Sequence, residues 1–239
     1  MKTVAIVQAR MGSTRLPGKI MKILAGRTVL GHVLERCRAI PSVDQVIVAT
    51  TDLPEDEAVC QEAERSGVEF YRGSSGDVLS RYYHAAQTSQ ADIIVRVTSD
   101  CPLLDPYISN EVILDFQRGA YDYSSSEGFP RGMDTEVFTF RVLEQAYCEA
   151  KFDYEHEHVT PYLYRHPEKF DLRTFRSEHD NSEYRLTLDT EEDWTLISQI
   201  YERLHKGGIF KLADVLELLK KEPELALING HIVQKRLGE

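Results

Sequence analysis

Residues 3–9 read TVAIVQA, a nearly unbroken apolar run of the kind that forms a β-strand buried on both faces. Two similar runs follow, VDQVIVAT at residues 43–50 and DIIVRVT at residues 92–98, with helical patterns between them. Repeated strand–helix units of this kind predict an α/β, Rossmann-like fold with a mostly parallel sheet flanked by helices. Because no repeat or Pro-rich linker interrupts the chain, we expect one domain over residues 1–239.

Periodicity and turn residues predict the remaining elements. Helices are expected between Pro54 and Gly67 and at residues 29–40, 77–88, 142–151, 156–165, 191–204 and 212–227. Shorter strands are expected at residues 68–71, 121–125, 136–140 and 184–188. The regular alternation of strand and helix patterns ends at about residue 120, and a polar loop, SSSEGFPRGMDT, occupies residues 124–135. Residues 121–180 are therefore expected to form a protruding arm.

The distribution of charge is more informative than its sum. The net charge of −11 argues against binding to a nucleic acid polymer. All acidic residues lie beyond Leu34, however, and the first 34 residues carry six cations, which predicts a local anion site; chance clustering on a solvated face is the alternative. No apolar run is long enough to span a membrane, no signal peptide is evident, and the four cysteines form no CxxC pair. These features favour a cytoplasmic protein with reduced thiols.

The loop after the first strand has the composition of a phosphate-binding loop. Residues 8–19 read QARMGSTRLPGK, and ligands of parallel α/β sheets bind beyond the carboxyl ends of strands. Gly12 and Gly18 allow close backbone approach, while Arg10, Arg15 and Lys19 match the charge of a triphosphate. The loop is neither a Walker A motif, given its glycine spacing and the absence of the Ser/Thr ligand, nor a GxGxxG fingerprint. An ordinary Gly/Pro turn is the competing interpretation.

Two acidic residues follow predicted strands and are candidate metal ligands. Asp100 comes just after the strand at residues 92–98, and Asp189 directly follows residues 184–188. Mg²⁺ is commonly held by one or two carboxylates together with substrate phosphates. Capping is the alternative for both, Asp100 before a turn at Pro102 and Asp189 at the start of the helix predicted at residues 191–204. Asp100 lacks the second acid of an Asp-x-Asp motif, which favours nucleotidyl transfer over glycosyl transfer.

Seven separated motifs resemble those of the CMP-sugar synthetases, the cytidylyltransferases that activate acidic sugars such as 3-deoxy-manno-octulosonate and sialic acid. In chain order they are VQARMGSTRLPGK, VIVATT, YRGSSGDVLSRYYHAA, VRVTSDCPLLDP, PRGMDTEVF, EHVTPYLYRHPEKF and LTLDTEEDW. The SpsF-type branch, which serves spore coat polysaccharide biosynthesis, is the nearest resemblance. It implies a nucleotide-diphospho-sugar-transferase-like fold, a homodimer formed through the arm, and Mg²⁺-dependent conversion of CTP and an acidic sugar to CMP-sugar and pyrophosphate. A glycosyltransferase and a non-catalytic nucleotide-binding protein are the alternatives.

The resemblance also implies roles for individual residues. The catalytic residues would be Arg10, Lys19 and Asp100, and the metal ligands Asp100 and Asp189. The nucleotide would contact Ala9, Arg10, Met11, Gly12, Ser13, Arg15, Lys19, Arg72, Ser75 and Asp77, and the sugar would contact Arg131, Asp134, Glu136 and His158. A turn with a helix cap at Asp77 and a surface loop with incidental charge around Arg131 are the competing interpretations. On a helix His156 and His158 would point about 200° apart, so they are not expected to chelate one ion.

Overall fold

The computed structural model describes residues 1–233. Its strands are β1 (Thr3–Gln8), β2 (Ile23–Leu24), β3 (Arg27–Thr28), β4 (Gln45–Thr51), β5 (Glu69–Gly73), β6 (Ile93–Thr98), β7 (Tyr123–Glu127), β8 (Glu136–Thr139) and β9 (Leu172–Arg176). Its α-helices are α1 (Val29–Arg38), α2 (Glu57–Arg65), α3 (Val78–Thr88), α4 (Pro106–Gly119), α5 (Phe140–Glu149), α6 (Asp153–His158), α7 (Pro161–Tyr164), α8 (Glu191–Leu204), α9 (Leu212–Lys221) and α10 (Glu224–Leu227). Short 3₁₀ helices span Lys19–Met21 and Pro54–Asp56.

Seven strands form one sheet in the order β5-β4-β1-β6-β8-β7-β9, and β2 and β3 form a separate hairpin. β8 runs antiparallel to both of its neighbours, and every other pair in the large sheet is parallel, which confirms the predicted mostly parallel α/β fold. β4 and β5 add on one side of β1, whereas β6 adds on the other. The strand order therefore reverses between β1 and β6. Ligands of such sheets bind at this point, beyond the carboxyl ends of the strands, which here are Gln8 and Thr98.

Helices cover both faces of the sheet, as the apolar strands require. Side chains of β1 alternate: Ala5 and Val7 pack among residues of α1, α2 and α4, whereas Val4 and Ile6 pack among residues of α3 and α5. A third cluster, under α8 and α9, contains Leu16 of the loop after β1 and Leu188. The carboxyl-terminal helices thereby hold two segments next to the point at which the strand order reverses.

Among residues 1–233, none of the helices has both the length and the hydrophobicity of a membrane-spanning segment.

Several predicted elements differ from those observed. The helix predicted at residues 156–165 is two helices, α6 and α7, because the backbone turns at Val159 with φ of 71°. The strand predicted at residues 184–188 forms only one isolated bridge, between Arg131 and Arg185. The sequence analysis missed α4 and β9; β9 reads LRTFR, and its charged side chains mask the pattern of an edge strand.

Residues 121–180 contribute three strands to the central sheet, β7, β8 and β9. Tyr123 and Phe138 of this region are buried in the same cluster as Ile6 of β1. The region therefore extends the sheet. Its pairing with a second copy of the chain stays a prediction.

Candidate active site

The loop after β1 is held by backbone contacts and by one buried acid. The Ala9 N–H donates to the carbonyl oxygen of Ala49 at 3.1 Å, and the Met11 N–H donates to Oδ1 of Asp56 at 2.6 Å. Asp56 is buried and also accepts a hydrogen bond from the Thr51 hydroxyl. Gly18, with φ of 65°, turns the chain into the 3₁₀ helix that begins at Lys19. The loop is therefore anchored at both ends, and sequence analysis did not identify Asp56.

Lys19 lies at the centre of the site. Its Nζ donates to Oδ2 of Asp100 at 2.7 Å, to the carbonyl oxygen of Leu188 at 2.7 Å and to Oδ1 of Asp189 at 2.8 Å. Burial by itself would lower the pKa of Lys19, but the charges of Asp100 and Asp189 outweigh it and raise the pKa above 10.5. The ammonium group is therefore charged at neutral pH and joins the two predicted metal ligands.

Asp189 is oriented by two arginines. Its Oδ2 lies 3.0 Å from Nη2 of Arg15 in an ion pair and accepts a hydrogen bond from Arg185 at 2.9 Å. Burial would raise the pKa of Asp189, but Lys19 and Arg15 outweigh it and lower the pKa below 3.8. Arg185 is held in turn by the fully buried Asp193, which also accepts from the Asp189 N–H at 2.9 Å. Sequence analysis missed Arg185 and Asp193, which fix the carboxylate in place.

The capping alternatives do not hold for the two acids. The residue that caps α8 is Thr190, whose hydroxyl accepts from the Asp193 N–H. The residue that caps α4 is Asp105, which accepts from the N–H groups of Tyr107 and Ile108. Neither Asp100 nor Asp189 is therefore the N-cap residue of the helix that follows it.

Two adjoining clefts meet at the Lys19 cluster. The first, which we term the loop cleft, has a volume of about 300 Å³. It is lined by Gln8, Ala9, Arg10, Gly12, Ser13, Thr14, Arg15, Lys19, Ile20, Val78, Arg81, Thr98, Ser99, Asp100, Glu157, His158 and Asp189. No heavy atom lies within 4 Å of a Cβ built on Gly12, so the backbone there is open to a ligand.

The second cleft, which we term the Arg131 cleft, has a volume of about 270 Å³. It is lined by Gln8, Arg15, Arg96, Thr98, Asp100, Cys101, Arg131, Gly132, Asp134, Glu136, His158, Thr187 and Asp189. All four residues predicted to bind a sugar lie in it. The two clefts share Gln8, Arg15, Thr98, Asp100, His158 and Asp189. A molecule in one cleft can therefore meet a molecule in the other beside the two acids.

The Arg131 cleft depends on the close approach of two loops. The Arg131 N–H donates to the carbonyl oxygen of Tyr184 at 2.9 Å, and the Leu186 N–H donates to that of Arg131 at 2.8 Å. Gly132 has φ of 93°, and a Cβ there would lie 2.7 Å from the backbone nitrogen of Thr187. Only glycine fits this position, because both the dihedral and the contact exclude a side chain. This approach brings residues 131–136 beside Asp189.

His158 enters both clefts from the end of α6. The Thr160 N–H donates to the carbonyl oxygen of His158 at 2.8 Å across Val159, whose dihedrals of 71° and −58° are those of a strained γ-turn. Such strain at a β-branched residue is typical of functional sites. Burial lowers the pKa of His158 below 6.5, so its ring is largely neutral at neutral pH.

The residues predicted to contact the base do not line either cleft. Arg72 donates to the carbonyl oxygens of Thr51 and Leu53 and pairs with Glu57. Asp77 caps α3 and lies 3.1 Å from Nδ1 of His156. Ser75 lies in the loop before α3. Met11, which was predicted to contact the nucleotide, also lines neither cleft, because its side chain packs against the hydrophobic core. The loop cleft reaches this region through Val78 and Arg81, which adjoin the cap of α3.

Among the cleft residues that were not identified from the sequence are Gln8, Arg81 and Arg96. Arg96 carried a usable signal, since it is a cation inside the otherwise apolar strand β6. Arg81 is buried on α3, and its guanidinium donates to the carbonyl oxygen of Ser74. Gln8 gave no signal by itself, because one polar residue at the end of a strand is ordinary.

Comparisons with known proteins show the family of the chain. A family model described as Cytidylyltransferase matches residues 4–229. The chain belongs to the cytidylyltransferase family. SpsF, the spore coat polysaccharide biosynthesis protein of Bacillus subtilis, is 30% identical over 92% of this chain and 95% of its own length. A 3-deoxy-manno-octulosonate cytidylyltransferase from Trichlorobacter lovleyi is 38% identical over 48% of this chain and 45% of its own length.

Solved structures share the fold. A cytidylyltransferase from Leptospira borgpetersenii superposes with a TM-score of 0.91 and 36% identity, covering 99% of this chain and 100% of that one. The Mycobacterium tuberculosis protein Rv0371c, solved in complex with manganese, superposes with a TM-score of 0.60 and 18% identity, covering 83% of this chain and 99% of that one. The predicted membership of the cytidylyltransferases, with SpsF among the relatives, is therefore confirmed.

The donor set of this cytidylyltransferase suits a hard divalent cation. Among residues 1–233, no group of three or more His, Cys, Asp or Glu side chains is placed to hold a metal ion. Asp100 and Asp189 nevertheless converge on one cation, the Lys19 ammonium, at hydrogen-bond distance. Two carboxylates completed by phosphate oxygens and water are an arrangement that Mg²⁺ accepts. The residues present therefore fit a divalent ion that binds together with a nucleotide.

Proposed function

We propose that this cytidylyltransferase transfers the cytidylyl group of CTP to a hydroxyl group of an acidic sugar, giving CMP-sugar and pyrophosphate. The observation that carries the proposal is the Lys19–Asp100–Asp189 cluster at the junction of two clefts. A triphosphate in the loop cleft would place its α-phosphorus near a hydroxyl group of a sugar in the Arg131 cleft. The name of one relative, 3-deoxy-manno-octulosonate cytidylyltransferase, supports this pairing of substrates.

The chemistry required of the chain is positioning and charge stabilisation. The oxygen of the sugar hydroxyl attacks the α-phosphorus in line and loses its proton to water. The bond from that phosphorus to the bridging oxygen breaks, and pyrophosphate leaves. Arg10, Arg15 and Lys19 neutralise the triphosphate and stabilise the departing pyrophosphate. One preorganised contact of this kind lowers a barrier by a few kcal/mol, on the order of 3. Ala9, Met11, Gly12 and Ser13 supply the backbone of the binding loop.

Asp100 and Asp189 are the proposed ligands of Mg²⁺. When bound, the ion would supply positive charge that polarises the α-phosphate. The chain contributes a prearranged pair of carboxylates, of which Asp189 is held by Arg15 and Arg185. These contacts restrict the position of the carboxylate before the nucleotide arrives.

The acceptor would be held by Arg131, Asp134, Glu136 and His158. The Arg131 guanidinium is exposed and has no side-chain partner among residues 1–233, so it is available to grip a carboxylate with two hydrogen bonds. The carboxylates and the neutral imidazole suit hydroxyl groups. Arg72, Ser75 and Asp77 remain the proposed base-binding residues, provided that the nucleotide extends past Val78 toward the start of α3.

A pyrophosphate-release screen tests the proposal directly. Each of the four nucleoside triphosphates is combined with Mg²⁺ and with 3-deoxy-manno-octulosonate, sialic acid or a uronic acid. We expect release with CTP and one acidic sugar and no release when the sugar is omitted. Release of a sugar from a UDP- or CMP-sugar without use of free CTP would instead identify a glycosyltransferase. Absence of CTP binding at millimolar concentration would contradict the cytidylyltransferase function.

The biological setting is proposed on the same basis. The relationship to SpsF supports a role in surface or spore coat polysaccharide biosynthesis. We further propose one domain, a cytoplasmic location and a homodimer. The family model, which runs from residue 4 to residue 229 without interruption, supports the single domain.

A further inference from the structure

One face of the sheet changes from apolar to polar at the edge that borders the clefts. On this face Val4 and Ile6 of β1 precede Gln8, and Ile94 of β6 precedes Arg96 and Thr98. On the antiparallel strand β8, Phe138 pairs with Ile94 in the apolar part of this face, and Glu136 pairs with Arg96 nearer the clefts. We term Gln8, Arg96, Thr98 and Glu136 the polar strip. In the sheet register Gln8 pairs with Thr98, and Arg96 pairs with Glu136.

Most of the polar strip is internally satisfied. Arg96 donates to Oε2 of Glu136, and the Tyr123 hydroxyl donates to Oε1 of the same carboxylate at 2.6 Å. Burial would lower the pKa of Arg96, but the Glu136 charge outweighs it and raises the pKa. The Arg96 guanidinium is therefore charged and is held in place by Glu136. The pair forms a rigid floor for the Arg131 cleft.

Gln8 is the member of the strip whose side chain makes no hydrogen bond to residues 1–233, whereas Arg96, Glu136 and Thr98 each make at least one. Its Oε1 is shielded from solvent and has no hydrogen-bond partner among residues 1–233, and no described residue binds the other end of its amide. A buried amide oxygen without a partner destabilises the protein, because the hydrogen bonds it made to water are lost and not replaced. The residue lines both clefts, so a rotation of the amide brings the oxygen to a ligand. Ligand binding could therefore recover the free energy that the unliganded protein loses.

We propose that Gln8 determines acceptor specificity, its amide oxygen accepting a hydrogen bond from a hydroxyl group of the sugar in the Arg131 cleft. The proposal rests on the proposed function and adds a contact to it. The sugar is the expected partner because the triphosphate group of CTP offers acceptors and no donors, and the ribose and base of CTP are proposed to lie toward the start of α3, past Val78. Nε of Arg96, in the same cleft, also has no partner and is a donor. A hydroxyl group can satisfy both, since it donates one hydrogen bond and accepts others.

The test replaces Gln8 with methionine in the full chain. Gln8→Met keeps the length of the side chain and removes its hydrogen bonding. We expect the KM for whichever of 3-deoxy-manno-octulosonate or sialic acid the wild type uses to rise about tenfold, with the KM for CTP within a factor of two. We also expect the Tm of the protein without ligand to stay equal or rise, because an unpaired buried oxygen has been removed.

Thr50→Val is the matched control. Thr50 is also buried, its Oγ1 also has no partner among the described residues, and it lines neither cleft. This change should leave both KM values unaltered. A lowered Tm for Gln8→Met with unchanged KM values would assign Gln8 a structural role and overturn the inference, as would a rise confined to the KM for CTP.

Failure of the proposed function gives a different result. In that case the wild type releases no pyrophosphate with any sugar. The Tm comparison needs no substrate, and a destabilised Gln8→Met would reject the inference in that case too. If the Tm of Gln8→Met is equal or raised, the unpaired amide still needs a polyhydroxyl ligand as its partner. Binding of each sugar to the wild type and to Gln8→Met is then measured by calorimetry. Equal affinities would then overturn the inference.

Discussion

Asp100 and Asp189 accept hydrogen bonds from the same ammonium group, at 2.7 Å and 2.8 Å from Nζ of Lys19. One acid follows β6, and the other precedes α8. Lys19 offsets the repulsion between them and holds their oxygens within reach of a single cation. In the proposed mechanism the same lysine both orients the metal ligands and supplies positive charge to the substrate, and substitutions at Lys19 and Asp100 separate these roles.

Replacing Lys19 with methionine should lower kcat for pyrophosphate release by a factor of about 10²–10³, because one preorganised charge contact is lost. Steady-state kinetics with CTP and the accepted sugar measure it. Lys22→Met is the matched control, since Lys22 lies close by but pairs with the exposed Glu191 and stacks over Trp194. Lys22→Met should change kcat less than threefold. Full activity in Lys19→Met would show that the loop does not serve the leaving group.

Replacing Asp100 with asparagine should raise the Mg²⁺ concentration for half-maximal activity at least about tenfold, because one of two anionic ligands becomes neutral. Asparagine keeps an oxygen that accepts from Lys19, which preserves the local shape. Titrations of activity against Mg²⁺ and Mn²⁺ measure the change. Asp52→Asn, at an exposed acid outside both clefts, is the control. An unaltered Mg²⁺ requirement in Asp100→Asn would remove Asp100 from the metal site.

Replacing Gly132 with alanine should destabilise the protein by about 2–4 kcal/mol, since it combines a disfavoured dihedral with a backbone clash at Thr187. Gly207→Ala separates the two causes, because Gly207 has φ of 86° with no atom within 4 Å of a built Cβ. It should cost only about 1 kcal/mol. Urea unfolding of both variants provides the comparison. Equal losses would mean that the contact between the two loops is looser than described.

The free energy of unfolding should fall as the pH drops through 6.5. The folded protein holds the pKa of His158 below 6.5, so the unfolded chain binds more protons in this range. His158→Gln should make the free energy of unfolding less dependent on pH between 8 and 5. Some dependence should persist, because burial also lowers the pKa of His32. Denaturant titrations across this range measure it, and identical slopes for variant and wild type would contradict the assignment.

Local patterns in the sequence were sufficient for the sheet and for the chemistry of one loop. Apolar runs at β1, β4 and β6 identify buried parallel strands because side-chain burial on both faces leaves a continuous hydrophobic signal. Cations and glycines after β1 identify an anion site because backbone freedom and charge are local properties. The break after His158 was missed, since a γ-turn at valine is contrary to the residue's own preference.

The sequence by itself determined an α/β sheet with a cationic loop after its first strand. Only the tertiary structure decided that Lys19 meets Asp100 and Asp189, that Gly132 packs on Thr187, and that Arg72 points away from both clefts. Contacts between segments far apart along the chain depend on strand register and on the packing of α8 and α9 beneath Leu188. Those are properties of the assembled core, and no short window of residues encodes them.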